Sequence, residues 1–201
     1  MTLTEDRSAP ATDFSAARRA MIVSQLRTSG VNEPWVLEAM AGVPRENFVP
    51  AELRDAAYID RAVPLGDGKF LGAPLVQGKM LQEAVPAKTD KALIVGDGEG
   101  YLATLLRPLV GSLDAVAPAA AGEAASGEYD LIVIDGAIEV LPDALSARLA
   151  EGGRVVTGVT ERGVTRLAAG TKAGGVTSLL PLAELGIPVL PEFAAPKRWS
   201  F

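Results

Sequence analysis

The short apolar run Ala92-Leu93-Ile94-Val95 leads straight into Gly96-Asp97-Gly98-Glu99-Gly100, after which Tyr101, Leu102, Leu105, Leu106 and Leu109 recur at helical spacing. Strand, glycine loop and helix in that order let a ligand approach bare backbone at the carboxyl end of a sheet. Three ligand chemistries can be weighed against the residues. A Walker phosphate loop needs Gly-Lys followed by Ser or Thr, but Gly78-Lys79 is followed by Met80. A dinucleotide fingerprint needs Gly-x-Gly-x-x-Gly, but Tyr101 follows Gly100 and the spacing is Gly-x-Gly-x-Gly. Asp97 and Glu99 would also set two carboxylates where a pyrophosphate should sit. S-adenosylmethionine carries a sulfonium and an ammonium and no phosphate, so it tolerates acids there. The alternative is a tight strand-to-helix turn that binds nothing, since isolated glycine motifs recur by chance.

Composition narrows the chemistry further. The chain of 201 residues contains no Cys and no His. Disulfides, thiol nucleophiles, Cys/His zinc sites and imidazole bases are therefore excluded. Any catalysis must rest on carboxylates, hydroxyls, Lys and Arg, backbone groups and positioning; no metal site is expected. A formal net charge of −6 disfavours nucleic acid as the main partner, because phosphate binding needs clustered Lys and Arg. No apolar run approaches the ~18 residues needed to cross a bilayer, so no membrane association is expected. Met1 to Pro10 carries Glu5, Asp6 and Arg7 and no apolar stretch, so it is not a secretory signal and a cytoplasmic location is expected.

The elements that must hold the loop can be read from pattern and punctuation. Residues 1–12 are expected to be a disordered tail, and 13–90 a helical extension. Within it, Asp13 or Ser15 caps a helix closed by Gly30, Asn32 caps another that begins at Pro34, and Pro74 starts a third. Val43 to Pro50 reads as irregular, Glu52 to Tyr58 as a short helix and Pro64 to Gly72 as a loop. Residues 91–201 form the core of one integrated domain, with buried strands at 92–95, 131–134 and 154–159, a further one at 113–117, and a helix at 143–150. Pro118 to Gly127 is rich in Ala and Gly and reads as a surface loop. Val176 to Leu182 and Ile187 to Leu190 suggest a C-terminal hairpin. Strands alternating with helices imply an α/β fold, with a mostly parallel sheet of about six strands and helices on both faces.

Upstream blocks carry a resemblance. MIVSQL (Met21 to Leu26), VLEAM (Val36 to Met40), VPRENFVP (Val43 to Pro50), Ala57-Tyr58-Ile59-Asp60 and Pro64-Leu65-Gly66-Asp67-Gly68 resemble, in order and spacing, the N-terminal half of the protein-L-isoaspartate O-methyltransferases. Leu93 to Tyr101 is similar to that family's cofactor loop, and Tyr129 to Val156 to its fourth strand, helix and fifth strand. VPRENFVP is the specific block; taken alone it reads as packing between the extension and the sheet.

The resemblance implies a Rossmann-like fold and methyl transfer from S-adenosylmethionine to the carboxylate of isoaspartyl residues in damaged peptides and proteins, as protein repair. Such an acceptor is its own nucleophile and is already ionised at neutral pH, so no general base is needed and alignment carries the rate. By the same resemblance, backbone around Leu71, Gly72 and Ala73 orients the acceptor. Gly96, Asp97, Gly98, Gly100 and Tyr101, with Asp135, hold the cofactor.

The chain departs from the family pattern at four places. Gly72 takes the position of a Ser that would hydrogen-bond the carboxylate. Ile94 stands where the strand usually has a Glu. The acid expected after the second strand falls near Ala117, with Asp114 the nearest carboxylate. Pro118 to Gly127 replaces a helix, a third strand and a loop. These losses make a catalytically inactive binding relative, a pseudoenzyme, the alternative reading. They also expose a sheet edge.

Overall fold

The computed structural model describes residues 13–122 and 127–195; the expected N-terminal tail lies outside them. Asp13 caps the first helix, α1 (Phe14–Met21), by accepting from the backbone N–H groups of Ser15 and Ala16 at 3.0 and 3.1 Å. The helix widens to π-type turns over Ile22–Leu26 and tightens to a 3-10 turn over Arg27–Ser29, and Gly30 closes it in the left-handed conformation. Helix α2 (Pro34–Gly42) begins on its proline, but without the expected Asn32 cap: Glu33 holds the capping position and makes no side-chain bond there.

Two 3-10 segments follow, Arg45–Phe48 and Ala51–Ala56. The stretch 64–72, expected to be a loop, instead contains an antiparallel pair, β1 (Val63–Gly66) and β2 (Lys69–Leu71). The extension is thus not wholly helical. The glycines there make the turn between the strands rather than abolishing them. Helix α3 (Pro74–Ala84) leads to β3 (Lys91–Val95), α4 (Tyr101–Leu106) and β4 (Ser112–Val116).

The main sheet has six strands in the order β4-β3-β5-β6-β7-β8, where β5 is Tyr129–Ile138, β6 Leu149–Glu161, β7 Val164–Ala173 and β8 Val176–Glu184. The first four pair in parallel and the last two antiparallel. The C-terminal hairpin exists, but between β7 and β8. Gly174 and Gly175, both at positive φ, make the two-residue turn that suits the twist of the strands. Ile187 to Leu190 forms no strand of the hairpin; it contributes a single parallel bridge from Val189 to Ala137. Helix α5 is shorter than expected, Asp143–Ala147, because Leu149 already belongs to β6.

Side chains of β3 alternate between two cores. Ala92 and Ile94 join a cluster with α1 to α4, whereas Leu93 and Val95 join a smaller one with Tyr129, Leu145, Leu149 and Phe193. Helices do cover both faces, but unequally: among the described residues, the second face has α5 and short 3-10 turns. Ala121 is fully buried there, so the segment after β4 is not purely a surface loop.

The β7–β8 ladder has no slack at Gly170, where an added Cβ would lie 2.2 Å from the Ser178 carbonyl oxygen. Gly42, at the end of α2, has nothing within 4 Å of the same position. Gly170→Ala is expected to cost about 1–3 kcal/mol in urea denaturation, the usual range for overpacking. Gly42→Ala is expected to be neutral or stabilising by up to ~1 kcal/mol through helix propensity. Equal effects of the two would contradict this packing.

Candidate active site

Arg45 is a charged side chain with no exposed surface. A guanidinium in that position must find acceptors for its fixed fork of donors. Its Nε donates to the Ala57 carbonyl at 2.6 Å, and its two terminal nitrogens donate to Gln77 Oε1 and to the Gly72 carbonyl. Its carbon lies 4.9 Å from the centroid of the Tyr101 ring, an additional cation–π contact. Burial pulls its pKa down to about 10, which leaves it charged at neutral pH. The next residue extends the network outward. Glu46 pairs with Arg18 at 3.1 Å and accepts from the Tyr58 hydroxyl, which in turn accepts from Arg18 Nε at 2.9 Å.

Above this network is a cavity of about 340 Å³, within the range of small-molecule sites. One wall is apolar: Phe48, Val49, Pro50, Leu65, Phe70 and Leu71. The other carries Asp97, Glu99, Gly100, Tyr101 and Asp135. Phe48 meets the Tyr101 ring edge-on, with centroids 5.3 Å apart, which fixes the two walls against each other. The Tyr101 hydroxyl has no hydrogen-bond partner among the described residues, and burial raises its pKa further above the ordinary value.

Asp135 sits where the β5–β6 ladder is interrupted between Val133 and Ala137. It lies beside the glycine loop: an added Cβ on Gly96 would come within 3.1 Å of the Asp135 Cβ. Desolvation pushes its carboxyl up to about 6; Arg45 and the Gln77 amide pull the other way, and Asp97 adds to the rise. Asp135 forms no direct ion pair with Arg45, so the guanidinium acts on it as a nearby charge.

The structure brings Leu71, Asp97, Gly100, Tyr101 and Asp135 to one cavity. Gly96 and Gly98 shape it from behind; an added Cβ on Gly98 would lie 2.7 Å from that of Ala115 on β4. The Asp97 carboxylate accepts from the Glu99 N–H at 3.0 Å, which holds the loop in its turn. Gly72 is buried, with its carbonyl taken by Arg45, and Ala73 precedes α3 without lining the cavity. Ile94 is core, and Asp114 accepts from the Tyr129 hydroxyl at 2.8 Å, away from the cavity.

Sequence reasoning missed the part played by VPRENFVP. Asn47 to Pro50 forms a cavity wall, and Arg45 organises what lies beneath it. Three adjacent polar residues, Arg45, Glu46 and Asn47, between apolar ends of the block were the available signal. Gln77 was missed as well, being one polar position on a mostly buried helix face.

Two outcomes follow from this geometry. Arg45→Met strands three buried neutral acceptors, at about 1–3 kcal/mol for each left unpaired, and is expected to cost about 3 kcal/mol or more in chemical denaturation. Arg45→Lys is expected to recover little, since an ammonium cannot span the same fork; full recovery would contradict the network. The second outcome concerns pH. The folded pKa of Asp135, about 6, lies above the ordinary 3.8, so the folded chain holds this proton more readily than the unfolded one. Stability from this group is fully present below pH 3.8 and is lost as pH rises through about 6. Asp135→Asn should therefore raise the melting temperature at pH 7.5 and give little or no gain at pH 4. A gain that grows on acidification would refute the assignment.

Residues 17–117 match the family model of protein-L-isoaspartate(D-aspartate) O-methyltransferase (PCMT). The chain is 36% identical over 171 residues to protein-L-isoaspartate O-methyltransferase of Koribacter versatilis, covering 72% of this chain and 77% of that one. It is 33% identical over 172 residues to protein-L-isoaspartate O-methyltransferase 1 of Rhodopseudomonas palustris, covering 73% and 70%. In fold it is similar to a Plasmodium falciparum structure described as a protein-L-isoaspartate O-methyltransferase in complex with S-adenosyl-L-homocysteine. That match has a TM-score of 0.71 at 18% identity and covers 90% of this chain and 99% of that one. A buried Arg45 beneath an acid-lined glycine loop, on a Rossmann-like sheet, is thus set in a sequence that is alike along most of its length: the chain belongs to the protein-L-isoaspartate(D-aspartate) O-methyltransferase family.

Proposed function

We propose that the protein transfers a methyl group from S-adenosylmethionine to the carboxylate of isoaspartyl residues in damaged peptides and proteins, acting in the cytoplasm. The observation that carries this reading is the cavity at the carboxyl ends of β3 and β5, with an apolar wall on one side and acids on the other. These residues fit the cofactor's chemistry. Phe48, Leu65, Phe70 and Leu71 offer a dry surface to a nucleoside. Asp97, Glu99 and Asp135 offer negative charge to a cation, and the unpartnered Tyr101 hydroxyl offers one more polar contact. When bound, S-adenosylmethionine supplies a methyl group made electrophilic by the adjacent sulfonium.

What the chain itself contributes is placement and exclusion of water. Arg45 fixes the Gly72 carbonyl and so holds Leu71 to Ala73 between the β1–β2 hairpin and α3. That segment forms the edge along which an extended acceptor peptide would lie. Phe48 and Phe70 shield the cavity, and a drier site strengthens each charge interaction within it. An ionised acceptor needs no proton removed, which accords with a cavity that contains no base beyond carboxylates. The helical extension and the hairpin, on this reading, serve the substrate side of one integrated domain.

A second reading, an inactive relative that keeps the ligand site, is favoured by one observation. Gly72 offers no side chain, and its carbonyl is committed to Arg45.

Labelled S-adenosylmethionine and an isoaspartyl peptide test the proposal, and transfer of label above blank is the expected result. Gly72→Ser should increase it. An added Cβ at Gly72 sits 3.4–3.5 Å from the Gln77 side chain, an ordinary contact, so the substitution fits. One hydrogen bond to a charged group, ~1.5–3 kcal/mol, corresponds to about tenfold or more in kcat/KM. No transfer by either protein would refute the enzymatic reading. Cofactor binding without transfer would support the inactive relative.

A further inference from the structure

The backbone groups of the glycine loop can be followed to their partners. The Gly96 N–H donates to the Val116 carbonyl at 2.9 Å, so the loop starts tied to the end of β4. The Glu99 N–H goes to the Asp97 carboxylate and the Gly100 N–H to the Asp97 carbonyl, both at 3.0 Å. The Gly100 carbonyl accepts from the N–H and the hydroxyl of Thr104, both at 3.0 Å, where α4 begins. The Gly98 carbonyl is taken from further along the chain: Arg107 Nη2 donates to it at 2.7 Å.

Arg107 stands at the far end of α4, where the helix tightens into the 3-10 turn Arg107–Leu109. Side chains on a helix lean toward its N-terminus, so the guanidinium reaches back over α4 to the loop from which the helix started. Its base is anchored in turn, because Lys88 Nζ donates to the carbonyl of the adjacent Pro108.

The Gly98 carbonyl and the Glu99 N–H belong to one peptide unit. In a planar trans peptide these two groups point in opposite directions. Arg107 holds the carbonyl end and the Asp97 carboxylate holds the N–H end, so the plane cannot turn without disturbing both. Gly98 itself stands behind the cavity on β4, whereas Asp97 lines it. Asp97 also folds closely over Gly100, where an added Cβ would lie 3.1 Å from the Asp97 Cβ and carbonyl oxygen. We propose that Arg107 is a positioning residue for the methyl-donor site: by fixing the Gly98–Glu99 peptide plane it aims the Asp97 carboxylate into the cavity. The inference rests on the methyl-donor reading above and adds to it a residue outside the cavity. The hydrogen bond carries this role. Glu99 lies 3.6 Å from the same guanidinium with its side chain almost wholly in solvent, and such an exposed pair contributes little.

Three measurements on the full chain test the assignment. In isothermal calorimetry with S-adenosylmethionine, Arg107→Ala is expected to weaken binding about fivefold, the scale of one hydrogen bond made by a half-exposed side chain. Arg166→Ala removes an exposed pair of the same 3.6 Å length on β7 and is expected to leave that affinity unchanged. In the transfer assay, Arg107→Ala should raise KM for the donor by a similar factor and leave KM for the isoaspartyl peptide and kcat at saturating donor within about twofold. By amide hydrogen exchange without ligand, the Glu99 N–H should exchange faster in Arg107→Ala, with Leu93 to Val95 of β3 unaffected. Unchanged donor affinity in Arg107→Ala, equal losses for donor and peptide, or faster exchange spreading through β3 would overturn the inference and leave the methyl-donor reading intact. Absence of donor binding by the unsubstituted protein would overturn both.

Discussion

A buried guanidinium is the constraint around which the rest of the structure is arranged. Leaving water costs an arginine several kcal/mol unless its donors are matched. Arg45 meets that demand with acceptors from three places in the sequence: Ala57 after the second 3-10 segment, Gly72 after the hairpin, and Gln77 within α3. The same side chain lies against the Tyr101 ring at the start of α4. Two parts of the extension and the glycine loop's helix are thereby registered to one another by a single group. Apolar contact supplies more of the total stabilisation, but it is non-directional. The fork supplies position, and position is what a methyl transfer without a general base requires.

The same charge governs the electrostatics of the cavity. Asp135 is exposed to two opposing influences, desolvation that favours its neutral form and the Arg45 field that favours the ionised one; desolvation is the larger. The protein accepts that cost at a point where β5 and β6 part company and where backbone from the C-terminal segment steps in. The Ala137 N–H donates to the Pro188 carbonyl at 2.8 Å, and the Leu190 N–H returns to Ala137 at 2.8 Å. The far end of the chain therefore braces the short stretch that carries the acid. An added Cβ on Gly136 would lie 2.5 Å from Leu190 Cγ, so the bracing is close enough to demand a glycine beside Asp135.

How much of this was legible in the sequence depended on whether the determining interaction was local. The run Ala92 to Val95 and the glycines after it announce a buried strand and a turn, and both exist where expected. Pro34 and Pro74 fix two helix starts because proline lacks the N–H that a first turn leaves unused. The hairpin of β1 and β2 was hidden, since its strands are only four and three residues long and its turn residues dominate the composition. Strand β7 was hidden for a different reason. Val164 to Ala173 includes Arg166, Gly170 and Lys172, and its identity as a strand comes from pairing with β6 and β8 on both sides, not from an apolar run. Arg45 illustrates the limit most clearly: its partners lie 12, 27 and 32 residues away, beyond the reach of any pattern in neighbouring residues.

The site and the shortened sheet respond to one another. Strand β4 forms the outer edge, and Asp114 on it is engaged by Tyr129, whose hydroxyl also accepts from Arg148 at 3.1 Å. Lys91 Nζ lies 4.8 Å from the centroid of the same ring. Charged groups thus converge on one aromatic at the rim of the sheet, where an acid on β4 becomes a structural partner. With Ile94 in the core and Asp114 so engaged, the negative charge facing the cavity comes from elsewhere: two acids within the glycine loop and one at the end of β5. A cation placed there would meet negative charge from two directions, the loop and the tip of β5, rather than along one strand edge.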